Sequence, residues 1–207
     1  MTTIYLTRHG QTEWNKVHRM QGWQNAPLTH LGKKQATQLG QRLKSVFFDS
    51  IYSSDSDRAY HTAEIITQNR NQVINRIAAL REINLGEWEG KLISEFEQSN
   101  PTEYQNFWES PHLYASSSGE SFFDVKERVI PAIDKIVNHH PQECVLIVAH
   151  TVVVKIILAY FDNEPIQELW NLPYIRPTSL SIIQTNNQIK KISLYGDTSH
   201  YDDLTEV

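Results

Sequence analysis

The residue pattern predicts an α/β fold built on a mainly parallel sheet, and three observations carry that reading. Strand-like and helix-like segments alternate along the chain. One continuous apolar run, Cys144-Val145-Leu146-Ile147-Val148-Ala149, has the character of a strand buried on both faces. Two short segments flanking Asn186-Asn187 read as an antiparallel hairpin at a sheet edge.

Ile4-Tyr5-Leu6-Thr7 is β-prone and opens the sheet. A helix is predicted from about Thr29 to Val46, with Thr29 as N-cap and Leu31, Gln35, Leu39 and Leu43 along one stripe. Ser50-Ile51-Tyr52-Ser53 is the next strand. Ser54 and Asp57 have the spacing of a capping box that starts a helix carrying Ala59, Ala63 and Ile66. Val73 to Leu80 contains a third strand, and His150 to Tyr160 reads as the helix after the apolar run. The hairpin pairs Leu180–Ile183 with Ile189–Leu194.

Segment 85–125 breaks the alternation. It holds Trp88, Phe96, Tyr104, Phe107, Trp108, Tyr114, Phe122 and Phe123, with turn signals at Asn100-Pro101 and Ser110-Pro111. It reads as a helical insertion over one sheet edge, either a lid and pocket wall or an extension of the core.

The 207 residues, 40% of them hydrophobic, suit one domain spanning 1–207. A net charge of −5, with no run of Lys or Arg beyond two residues, argues against a nucleic-acid partner. Cys144 is the only cysteine, sits in apolar sequence and is read as inert core, which fits a reducing compartment. Met1-Thr2-Thr3 begins no signal peptide, and the apolar stretch Val152 to Phe161 is interrupted by Lys155 and too short for a bilayer. The expectation is a soluble cytoplasmic protein with no membrane partner; oligomeric state is not legible. Thr198 to Val207 reads as a loose tail, with Tyr195 or His200 able to fold over a pocket.

Ligands of open α/β sheets bind beyond the carboxyl ends of the strands. Arg8 and His9 follow the first strand, Arg58 opens the helix after the second, Glu82 follows the third, and His150 follows the apolar run. All five are therefore predicted at one edge. Two guanidiniums suit phosphate oxygens, each attracting an anion by roughly 4 kcal/mol at 4 Å and an effective dielectric of 20. One imidazole can act as a free nucleophile while the other stays protonated as an anion clamp. Glu82 can protonate a leaving alkoxide. Such a set needs neither metal nor cofactor, and which histidine attacks is left open by pattern alone.

The stretch Leu6-Thr7-Arg8-His9-Gly10-Gln11-Thr12-Glu13-Trp14-Asn15 resembles the signature of the histidine phosphatase superfamily, also called phosphoglycerate mutase-like. Gln21-Gly22, Pro27-Leu28-Thr29, Gly32, Gln35-Ala36, Ser53-Ser54-Asp55, Arg58-Ala59, Thr62-Ala63, Glu82 through Gly90, Gly119-Glu120-Ser121 and Val148-Ala149-His150 continue the resemblance in order. Within the superfamily the sequence is most similar to the broad-specificity and α-ribazole phosphatases. The resemblance implies a three-layer α/β/α sandwich and a phosphohistidine on His9. It also implies Arg8, Asn15, Arg58 and His150 around the phosphoryl group, Glu82 as proton donor, and Gln21, Gly22 and Thr151 at the substrate. Thr151 stands where the family commonly has Gly, and Asn25 where Asp is frequent.

A mutase of this family must also grip a second anionic group. From Glu82 to Val125 the chain has one basic residue, Lys91, against nine acidic ones, which favours a phosphatase releasing inorganic phosphate from a small phosphorylated metabolite. A mutase and an inactive phospho-ligand binding protein are the alternatives. A metallohydrolase is disfavoured, since the nine histidines form no H-x-x-x-H or H-E-x-x-H pair.

Overall fold

The computed structural model describes residues 1–68, 70–186 and 189–201. Its sheet has six strands: β1 (Thr2–Arg8), β2 (Ser50–Ser54), β3 (Ile74–Ile77), β4 (Cys144–Ala149), β5 (Leu180–Thr185) and β6 (Lys190–Asp197). Their order is β3-β2-β4-β1-β5-β6. The first four run parallel, β5 pairs antiparallel with β1, and β6 antiparallel with β5. The run 144–149 is apolar throughout because β4 lies between β2 and β1 with a helical layer on each face.

Alternation along β4 assigns the layers. Leu146 and Val148 pack with Ala36 and Leu39 of helix α2 (His30–Arg42) and Ala59, Ala63 and Ile66 of α3 (Asp57–Thr67). Val145, Ile147 and Ala149 point the other way, into a core shared with helices α6 (Phe122–His139) and α7 (Thr151–Asp162). That is the expected α/β/α sandwich with an antiparallel edge. A short helix α1 (Glu13–Lys16) follows β1.

Several element boundaries differ from the sequence reading. Helix α2 stops at Arg42 rather than Val46, because the Arg70 guanidinium donates to the carbonyls of Leu43 and Val46 and satisfies that end without further turns. The capping box read at Ser54 does not form. Ser56 is the N-cap of α3 and makes no side-chain cap bond, while Ser54 Oγ accepts from the Ser56 N–H at 3.3 Å. β3, Ile74–Ile77, lies inside the span read for it and is followed by a 3-10 turn, Ala78–Leu80. Helix α6 has no counterpart in the sequence reading; Ser121 and Asp124 form its capping box. The Asn186-Asn187 turn extends to residue 187, which lies outside the described residues.

The insertion contains α4 (Ile93–Ser99) and α5 (Pro101–Glu109), with Pro101 at the start of α5 and Pro111 opening a 3-10 turn. Its aromatics divide between the core and a cavity wall. Trp88, Phe96, Tyr114 and Phe122 are buried in the same core as the sheet, each worth roughly 1.5–3 kcal/mol of burial. Phe107 and Trp108 reach the cavity described below. Phe123 is exposed.

Cys144 is half-buried at the opening of β4 rather than deep in the core, and burial raises its thiol pKa, so thiolate is disfavoured. Lys155 is buried within α7 because its ammonium donates to the carbonyls of Leu169, Leu172 and Pro173 at 2.9–3.2 Å. Among the described residues no helix is long and apolar enough to cross a membrane.

Candidate active site

Arg8 closes β1 and Ala149 closes β4, and the two residues face each other across the parallel pairing. The next residues, His9 and His150, emerge side by side at the carboxyl edge. Their rings meet edge to face, with centres 5.2 Å apart. Gly10 permits the end of β1 to pass close against α2. A Cβ there would lie 2.5 Å from the Gly32 carbonyl oxygen, so a side chain would force the β1 end away from α2.

His9 is buried, with its Nδ1 2.7 Å from the Gly10 carbonyl oxygen. A carbonyl can only accept, so Nδ1 carries the proton and Nε2 keeps its lone pair. Arg58 Nε donates to that Nε2 at 3.3 Å. The other arms of this buried guanidinium donate to Gly22 O and Gln24 O, both at 2.7 Å. The Arg58 N–H donates to Asn25 Oδ1 at 3.2 Å; an amide oxygen thus serves where Asp is frequent.

The Glu82 carboxylate accepts from the N–H of Ile83 at 3.0 Å and from that of Val152, in the first turn of α7, at 3.2 Å. Burial raises its pKa against these bonds and against Arg58 and Arg8. Arg128 of α6 holds this segment. It donates to the carbonyls of Ala79, Arg81 and Glu82 at 2.8–2.9 Å and forks onto Glu120, which takes the Asn84 N–H. Sequence reasoning missed Arg128, because its helix was unassigned. The Gly119-Glu120-Ser121 triplet was the available trace.

Arg8 Nη1 donates to Ile175 O at 2.9 Å, while its Nε is buried without a partner among the described residues. Asn15 Oδ1 accepts from the Thr12 N–H at 3.1 Å, and Gln21 Nε2 donates to Thr12 Oγ1 at 2.6 Å. Gly22 adopts φ +53°. Thr151 opens α7. Arg8, His9, Asn15, Gln21, Gly22, Arg58, Glu82 and Thr151 all line one cavity of about 880 Å³. His150 does not. It is fully buried behind His9, with Nε2 3.2 Å from Ser56 Oγ and Nδ1 unpartnered among the described residues.

The protonated clamp expected of the second histidine needs correction. Burial first, then Arg58, lowers both His9 and His150 well below the usual histidine pKa, so both are neutral at pH 7. Stability follows. Unfolded histidines take a proton near pH 6.5 that these folded ones refuse, so stability is full above 6.5 and drains as pH falls below it. His200, lowered by burial to about 4, adds in the same sense; Glu82, with its raised pKa, acts in the opposite sense. Denaturant unfolding at pH 7.5 and 5.5 is expected to show a loss of up to roughly 1.4 kcal/mol per pH unit for each fully buried histidine. A flat or rising stability over that interval would contradict the neutral assignment.

The rest of the cavity joins two surfaces. Ile83, Leu85, Ile93, Phe107, Trp108 and Trp170 give an apolar wall. Arg19, Lys155 and Arg176 add positive charge from outside segment 82–125, and among the described residues Glu82 is the only carboxylate in the lining. Lys91 instead lies over the Trp88 ring at 4.6 Å and does not line the cavity. Judging pocket charge from the insertion alone therefore understated it. Tyr195 and His200 do not close the cavity: Tyr195 bonds Asp162, and His200 contacts Arg42 and Thr178. Tyr201 lines it instead; residues 202–207 of the expected tail lie outside the described residues. Among the described residues no group of three or more His, Cys, Asp or Glu is placed to hold a metal ion.

Comparison with known proteins agrees with this architecture. The family model of the histidine phosphatase superfamily (branch 1) matches residues 4–198. Phosphoserine phosphatase 1 of Hydrogenobacter thermophilus is 32% identical over 171 residues, covering 83% of this chain and 81% of that protein. A probable phosphoglycerate mutase, GpmB, of Salmonella arizonae is 30% identical over 214 residues, covering 98% and 96%. The solved structure of Bacillus stearothermophilus YhfR superposes with a TM-score of 0.94 at 46% identity, over 97% of this chain and 99% of that one. The chain belongs to branch 1 of the histidine phosphatase superfamily.

Proposed function

We propose that the protein hydrolyses small phosphate monoesters without a metal, through a phosphohistidine on His9. One observation carries the reading: the Gly10 carbonyl holds the Nδ1 proton, which leaves Nε2 as the nucleophilic atom beside Arg58. An arriving phosphoryl oxygen takes over the Arg58 Nε–H and frees the lone pair. Arg8 Nε, buried at the cavity and unpartnered among the described residues, is a group that a bound anion satisfies.

In the first step the Nε2–P bond forms and the P–O bond to the alcohol breaks, with Glu82 giving its proton to the leaving oxygen. In the second, water attacks phosphorus while the Glu82 carboxylate takes its proton. The N–P bond then breaks, returning neutral His9 and inorganic phosphate. Arg58 and Arg8 hold the equatorial oxygens as charge develops. The raised Glu82 pKa favours the protonated acid that the first step needs.

The mutase reading keeps one specific support. Arg176 lines the cavity and its guanidinium makes no hydrogen bond or ion pair among the described residues, so an alcohol bearing a carboxylate or second phosphate is accommodated. We favour hydrolysis because the insertion adds no cation to the lining that would retain a bisphosphate. The relatives include both phosphoserine phosphatase and probable phosphoglycerate mutase names. Purified protein is expected to hydrolyse p-nitrophenyl phosphate in excess EDTA, and to release inorganic phosphate from 3-phosphoglycerate faster than it forms 2-phosphoglycerate with bisphosphoglycerate present. A requirement for added divalent metal, or isomerisation outrunning phosphate release, would overturn this assignment.

A further inference from the structure

Glu89 belongs to the Glu-Trp-Glu-Gly segment, and the reaction above leaves it without a role. Its carboxylate Oε1 accepts from the Trp23 N–H at 2.7 Å and the Leu85 N–H at 3.2 Å, and Oε2 from the Gln24 N–H at 3.0 Å. The Trp23 N–H and the Gly22 carbonyl are the two ends of one peptide group. That carbonyl accepts from Arg58 Nη2 at 2.7 Å. A line of hydrogen bonds therefore runs from the Glu89 carboxylate, through one peptide unit, to the Arg58 guanidinium, and from Arg58 Nε to His9 Nε2 at 3.3 Å.

Two further features fit this line. Arg58 is 1% exposed, yet it makes no ion pair among the described residues. A buried cation needs compensating negative charge; Glu82 and, to a smaller extent, Glu89 supply it, and Glu89 is the one joined to Arg58 through the backbone. Gly22 lacks a side chain where one would obstruct the contact: a Cβ there would meet Glu89 Oε1 at 2.2 Å, and its φ is +53°.

We infer that Glu89 is a positioning residue for phosphoryl binding, which orients and electrically supports Arg58 through the Gly22–Trp23 peptide while leaving the guanidinium free toward the ligand. A carboxylate in direct contact with Arg58 would occupy the N–H groups that the phosphoryl oxygens require. Relaying the charge through a polarised peptide avoids that competition. The Leu85 N–H bond extends the same hold to the segment carrying Glu82, whose carbonyl also accepts from Trp23 Nε1 at 2.9 Å.

The inference rests on Arg58 being a phosphoryl contact, and a double-mutant cycle separates the two. Orthovanadate is titrated against wild type, Glu89→Gln, Arg58→Ala and the double variant by tryptophan fluorescence, which needs no turnover. Glu89→Gln keeps the size and one acceptor oxygen but removes the charge. It is expected to weaken vanadate binding roughly ten- to thirtyfold, the scale of a hydrogen bond to a charged group. In the Arg58→Ala background the same change is expected to cost less than about twofold, since coupled groups are not additive. With p-nitrophenyl phosphate, Glu89→Gln is expected to raise KM more than it lowers kcat.

Gly22→Ala, which displaces the carboxylate but keeps it in the chain, is expected to follow the Glu89→Gln pattern. Equal losses from Glu89→Gln in both backgrounds would show that Glu89 acts independently of Arg58 and overturn the inference. Unaltered vanadate binding by Arg58→Ala would instead remove the phosphoryl role of Arg58 itself.

Discussion

His9→Ala is expected to lower phosphatase kcat by a factor on the order of 10⁴ or more, and to abolish the acid-labile phosphoenzyme. The size follows from the covalent step. Without Nε2, water must attack the bound ester directly, and only the binding and charge stabilisation from Arg8 and Arg58 remain. Folding should survive, because the variant removes a buried polar ring whose protonation is already opposed by its surroundings. Thermal unfolding verifies that point. Quenched-flow trapping from labelled substrate checks the intermediate. A phosphoenzyme that persists in His9→Ala with the same acid lability would place the nucleophile elsewhere.

Glu82→Gln should divide substrates by leaving group. Alkyl phosphates expel a poor alkoxide and need its proton, so their turnover is expected to fall about 10²–10⁴-fold. p-Nitrophenolate departs without protonation, and its ester should lose less than about tenfold. The glutamine oxygen can still accept from the Ile83 and Val152 N–H groups, so local geometry is retained. The pH profile adds a second readout. Burial raises the Glu82 pKa, so loss of its proton defines the alkaline limb of kcat/KM for alkyl esters, and the variant should flatten that limb. Parallel losses on both substrates would reduce Glu82 to a structural or electrostatic part.

The positions of the candidate site residues were legible wherever they depend on strand ends. Arg8, His9, Arg58 and Glu82 reach one cavity because β1, β2, β3 and β4 run parallel and end at the same edge. His150 departs from that pattern in one respect: it lies at the edge but behind His9, a packing relation of two rings that strand order does not encode. The capping signal at Ser54 misled because Ser54 is still paired with Ile77 in the sheet, so the helix begins later, with Ser56 as its N-cap.

Local periodicity determined the layered α/β class, the buried central strand, the hairpin edge and the carboxyl-end placement of the charged groups. These follow from side-chain alternation and chain direction, which neighbouring residues express. Tertiary structure alone decided the tautomer of His9, the neutrality of both imidazoles and the cavity cations outside the insertion. It also decided the hold of Arg128 and Glu89 on the Glu82 and Arg58 segments. Each of these depends on desolvation or on hydrogen bonds between segments far apart in the chain, and a carbonyl or carboxylate becomes a partner only once folding brings it within about 3 Å.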